Sequence, residues 1–177
     1  MGSIENSIII ILDNINDVYD YFKLGIINNP FTLYSTKFIV NDEIRKSDNI
    51  EQHSIRIWKS NTLFNYWYND LHTSQFVAAL DYSIRENDIK IEYLSVNDDE
   101  CCYTQKPISQ TESEEMIRAL VDYIRETAKK EYKTKVIIDV HSNLRIYNKS
   151  YKNEGFQLTG RKCEDNPYWE EVELIVS

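Results

Sequence analysis

Two side chains in this sequence are of types that can move a proton: Tyr151, in the stretch YKNEGF, and Glu92, in IKIEYLSV. Tyr151 stands four residues before Gly155, which Phe156 follows. Glycine takes the left-handed conformation at a helix C-terminus without a Cβ penalty. Tyr151 therefore reads either as the last aromatic of a helix that stops at Gly155 or as a phenol held against a reacting group. Glu92 is the one carboxylate between Ile89 and Val96. In a regular strand it alternates onto the face of Lys90, Leu94 and Val96, where it is either functional or a solvated carboxylate paired with a lysine. His53, His72 and His141 are widely separated and form no motif with a nucleophile, so no catalytic triad is assigned. Cys101, Cys102 and Cys163 have no CxxC spacing, which argues against a zinc site and against a disulfide framework and fits a reducing compartment. The aromatics of NTLFNYWYND read as core packing in preference to an acceptor pocket or a partner site.

The elements that must hold these groups belong to one domain, residues 1–177, since 42% hydrophobic content supports one core and no Pro/Gly-rich linker divides the chain. Twenty-nine acidic against 20 basic residues give a net charge of -9, which repels nucleic acid and anionic membrane. The run IIIIL, Ile8 to Leu12, is far shorter than a membrane span and lacks the basic flank of a signal peptide, so it reads as a buried strand and the expected location is cytoplasmic.

After that strand, Asp13 or Asn14 caps a helix with Ile15, Val18 and Phe22 at helical spacing and Gly25 as its stop. The segment from Phe31 to Asn49 is ambiguous and is assigned a second helix. SIRIW, Ser54 to Trp58, is a strand; Phe76–Ile84 and Ile89–Val96 flank the polar turn REND as an antiparallel hairpin. A helix over Ser113–Tyr132 carries the apolar stripe Met116, Leu120, Ile124 and Ala128. KVIIDV, Lys135 to Val140, has the continuous apolar character of a strand buried on both faces. A short helix to Asn153 and the strands FQLTGRKC and EEVELIV complete the chain. The fold class is α/β (α+β): a mixed, mostly antiparallel sheet flanked by helices in the order β-α-α-β-β-β-α-β-α-β-β. The long helix makes Ile89–Val96 and Lys135–Val140 parallel neighbours, predicted to diverge near Val96.

This order, with RALVDYI in the long helix and Y-x-x-x-G-F before the closing hairpin, resembles the GNAT acetyltransferases. The resemblance runs from Phe76 to Ser177, and rests on element order alone before that. It implies acetyl transfer from acetyl-CoA, admitted between two splayed strands, to an amine acceptor on a small molecule or a protein. Leu94 and Val96 would offer backbone groups to the pantetheine and thioester. Tyr151 matches the family's proton donor. Glu92 would be the amine-deprotonating base, although the family's glutamate aligns with Lys90. Asn143 would bond the pantetheine arm or only cap a helix. Whether the chain pairs as a homodimer is left open.

One departure stands out. The family signature Q/R-x-x-G-x-G/A, whose glycines admit the pyrophosphate, falls on TESEEMI, with Glu115 and Ile117 at the glycine positions. Asp98, Asp99, Glu100, Glu112, Glu114 and Glu115 face Lys106 alone in this region, and Thr111 with Glu114 fits a capping box. The alternative is therefore a non-catalytic GNAT-like module that has lost acetyl-CoA binding and acts by protein interaction.

Overall fold

A computed structural model describes residues 4–12, 22, 37–60, 75–97 and 109–176. Within them the strands are β1 (Ile4–Leu12), β2 (Lys37–Ser47), β3 (Ile50–Ser60), β4 (Gln75–Ile84), β5 (Ile89–Val96), β6 (Lys135–His141), β7 (Gln157–Cys163) and β8 (Asn166–Ile175). One long helix, α1 (Gln110–Lys130), joins β5 to β6. The strands form one eight-stranded sheet in the order β1-β2-β3-β4-β5-β6-β8-β7. All pairings are antiparallel except β5 with β6. The mixed, mostly antiparallel α+β architecture read from the sequence is the one observed.

One segment differs. The stretch assigned to a second helix contains β2 instead, which makes a long antiparallel ribbon with β3 from Lys37↔Ser60 to Ser47↔Ile50. Asp48 and Asn49 turn this ribbon with φ of 29° and 66°, a conformation that Asp and Asn tolerate and that matches the twist of a two-residue hairpin. The alternation is present in the sequence: Val40 and Asp42 are buried, while Glu43 and Arg45 pair with each other at 3.1 Å. The aromatics of NTLFNYWYND, the cysteines Cys101 and Cys102, and the helix expected after Asp13 lie outside the described residues, apart from Phe22. That residue is buried and meets Tyr123 of α1 edge-on, with ring centroids 5.3 Å apart.

α1 starts three residues earlier than its apolar stripe predicts. Its cap is Ser109, whose Oγ accepts from the Glu112 N–H at 3.1 Å and donates to the Glu112 carboxylate at 3.1 Å. The expected Thr111–Glu114 box is therefore two residues out of place: Ser109 precedes the first apolar residue too far upstream for the stripe to reveal it. The stripe itself is buried as expected, with Met116, Leu120, Ile124 and Ala128 all at or below 1% exposure. Burying each large side chain of this kind contributes about 1.5–3 kcal/mol. They pack over Ile89, Ile91, Val136 and Ile138 on one face of the sheet.

The short helix after β6 is a π-helical turn, Tyr147–Tyr151, followed by a 3₁₀ turn, Lys152–Glu154. Gly155 ends it at φ 98°, as the sequence requires. An added Cβ there would come within 3.3 Å of Leu174 Cδ1. Among the described residues, no helix is long and apolar enough to cross a membrane.

Candidate functional site

The site begins where β5 and β6 stop pairing. Their parallel ladder holds only Ile89↔Val136, Lys90↔Ile137 and Ile91↔Ile138, although β5 continues to Val96 and β6 to His141. The strands part at Glu92, four residues before the expected point. A β-bulge supplies the cause. Against β4, Tyr82 is opposite Ile91 and Asp81 is opposite Tyr93, so Glu92 is an extra residue on β5. A bulge bends its strand and increases the local twist, which turns the second half of β5 away from β6.

The bulge also corrects the face assigned to Glu92. Cross-strand partners share a face, so Tyr93 lies with Asp81, while Leu94 and Val96 lie with Leu80 and Ala78 on the α1 side. Leu94 packs against the core, and Val96 is buried in it. Glu92 is exposed on the opposite face, the face of half-buried Lys90, where its Oε1 is 3.5 Å from Ser83 Oγ. It does not share a face with Leu94 and Val96, because period-two alternation fails across a bulge. Tyr151 lies on the α1 side: its ring is 5% exposed and meets Phe156 edge-on at 5.6 Å. The structure thus brings Tyr151, Leu94 and Val96 into one core and sets Glu92 on the other side of the sheet.

Burial raises the Tyr151 phenol well above its ordinary value, so it holds its proton at neutral pH. Its backbone carbonyl accepts from the Phe156 N–H at 3.2 Å, and Tyr147 Oη donates to the Phe156 carbonyl at 3.0 Å. These bonds fix the turn that carries the phenol. At the end of β6, Asn143 Oδ1 accepts from the Arg145 N–H at 3.0 Å, an Asx turn around Leu144, whose φ is 59°. The Asn143 N–H in turn donates to His141 Nδ1 at 3.2 Å, and the His141 ring rests edge-on against Trp169 at 5.8 Å. His53 lies far from this end; its Nδ1 is 3.2 Å from Asp42 Oδ2, and its ring stacks on Tyr82 at 4.6 Å.

The feature missed in the sequence is Asp139, the single carboxylate inside KVIIDV. It sits on β6 at the first level beyond the last paired residues, with its carboxylate 3.3 Å from Lys90 Nζ across the strands.

A parallel strand pair joined by a long crossover helix, parting at a bulge, in a mixed sheet that closes with an antiparallel hairpin, decides the architecture. This is the element order expected from the resemblance to the GNAT acetyltransferases. No protein family and no curated protein sequence matches the chain. Among solved structures, the ribosomal-protein-S18-alanine N-acetyltransferase of Escherichia coli is similar at 11% identity over 97% of this chain and 95% of that one, with a TM-score of 0.45. The PaiA N-acetyltransferase of Thermoplasma acidophilum, in complex with coenzyme A, is similar at 15% identity over 69% of this chain, with a TM-score of 0.41; this chain spans 59% of that protein. A GNAT family acetyltransferase of Elizabethkingia anophelis with acetyl-CoA bound is similar at 11% identity, 80% and 77% coverage and a TM-score of 0.39.

The first turn of α1 is a poor site for an anionic group. Ser109 already takes the Glu112 N–H, and its carbonyl takes the Ser113 N–H at 2.9 Å. Glu112, Glu114 and Glu115 offset the positive end of the helix dipole that would otherwise attract phosphate. Arg118, held by Glu115 at 2.7 Å, is the nearest countercharge in the first three turns. Replacing the cap, Ser109→Ala, is expected to lower stability by about 1 kcal/mol in a chemical denaturation curve. No loss would show that the Glu112 box contributes nothing to α1.

Proposed function

We propose that this chain is an N-acetyltransferase that binds the pantetheine arm of acetyl-CoA in the gap between β5 and β6 and passes the acetyl group to an amine. The observation that carries this reading is the parallel ladder that ends after Ile91↔Ile138 while both strands continue. In this reading Leu94 and Val96 present backbone to the arm. Tyr151, protonated in its buried position, donates to the departing thiolate. The acceptor is an amine of a small molecule or a protein, and the strongly acidic chain, with net charge -9, favours a cationic one.

The acids at the start of α1 favour a second reading, a GNAT-like module that does not hold the coenzyme and works by protein interaction. Thermal denaturation separates the two without an acceptor. A ligand binding only the native state at a hundredfold excess over Kd stabilises it by about 2.7 kcal/mol. For a domain of this size that raises the melting midpoint by roughly 5–10 °C. The transferase reading expects such a shift with millimolar acetyl-CoA, larger than that given by pantetheine. A shift near zero with both compounds overturns it. Equal shifts would place the arm in the gap and the diphosphate in solvent.

A further inference from the structure

We propose that Asp139 is the carboxylate that receives the ammonium group of the acceptor and takes its proton, an inference that rests on the acyl-transfer reading above. The position is the first argument. Asp139 lies one residue beyond Ile138, the last residue of β6 paired to β5, so it stands at the apex of the gap. Its partner on β8 is Glu171, and its carboxylate reaches Lys90, which places it on the face of the sheet away from α1. An amine arriving from that face meets the gap at this residue.

The second argument is what Asp139 already holds. Lys90 Nζ, an alkylammonium, lies 3.3 Å from Oδ2, and both side chains retain about a quarter of their exposure. The acceptor presents the same chemical group. A carboxylate that holds one ammonium at the apex can hold another in its place. Glu92, by contrast, is displaced by the bulge and turned toward Ser83 on β4, away from β6. The other charges around Asp139 are committed: Glu171 is held by Arg161 at 2.8 Å, and Glu173 lies 3.8 Å from the same guanidinium. His141 follows two residues on, with Nδ1 taken by the Asn143 N–H.

The proton count closes. The ammonium gives one proton to Asp139, which solvent removes. The neutral nitrogen then forms the C–N bond as the C–S bond breaks, and the leaving thiolate takes the phenolic proton of Tyr151. The second proton shed by the nitrogen, as the amide forms, restores the phenol.

The test uses two small acceptors with acetyl-CoA and follows thiol release above the rate without protein, which hydroxylamine alone makes appreciable. Ethylamine is an ammonium ion at neutral pH, and hydroxylamine is already neutral. Asp139→Asn is expected to lower transfer to ethylamine by roughly 10²–10⁴-fold and to leave transfer to hydroxylamine within about tenfold of the wild type. Asp139→Glu, which keeps the carboxylate, is expected to restore part of the ethylamine rate. Equal losses with both acceptors would assign Asp139 a structural role and overturn the proposal, as would an unchanged ethylamine rate. A larger ethylamine loss in Glu92→Gln would return the role to the bulge residue. Wild-type protein that releases thiol with hydroxylamine but not with ethylamine would overturn this inference and keep the acyl-transfer reading. Release with neither would overturn both.

Discussion

Tyr151→Phe is expected to lower turnover with any working amine by roughly 10²–10⁴-fold, the usual worth of a positioned acid, while leaving the fold intact. The expectation follows from how the residue is held. The ring is 5% exposed and packs edge-on to Phe156, and phenylalanine keeps both the ring and that contact. Among the described residues the Tyr151 hydroxyl makes no side-chain hydrogen bond, so its removal orphans no described partner. What is lost is the proton. The phenol carries its proton at neutral pH, and because burial makes that proton harder to give up, only a thiolate in direct contact with the hydroxyl can take it. Steady-state kinetics with a saturating donor, beside a melting curve of the variant, decides the matter. Turnover equal to the wild type at an unchanged melting point would make Tyr151 only the last aromatic of a turn that stops at Gly155.

Phe156→Ala is expected to cost about 3–5 kcal/mol of stability, the range for a large aromatic removed from a packed core. Phe156 is 2% exposed and among the largest fully enclosed side chains next to the sheet. Its backbone bonds to Tyr151 and Tyr147 survive the change, so the loss isolates the ring. The cavity opens beside Tyr151, which then has room to leave its rotamer. Urea unfolding should show a lower midpoint with an unchanged slope. A loss under about 1 kcal/mol would mean that the turn relaxes into the space, and that the phenol is positioned by the backbone alone.

The parts of the fold that could be read in advance are those whose signal is local. The Phe76–Ile84 and Ile89–Val96 hairpin, the stripe of α1 and the apolar run of β6 each carry their period within a single element, and all three are where the pattern puts them. Gly155 at φ 98° likewise follows from residue type. The strand Lys37–Ser47 was harder, because its alternation runs through charged residues whose partners lie on β3, and the SDN turn was its only compact signal.

The sequence by itself determined the proton-donor candidate, the parallel neighbourhood of β5 and β6, and the acidic start of the crossover helix. Each depends on residue identity and chain order, which need no coordinates. Only the tertiary structure decided where the two strands part and which carboxylate stands there. A bulge is a mismatch between two strands, one residue more on β5 than on β4, and neither strand shows it alone. That single extra residue turned Glu92 away from the face of Leu94 and Val96 and ended the ladder at Ile91. It left Asp139, an unremarked acid in an apolar run, paired with Lys90 at the apex of the gap.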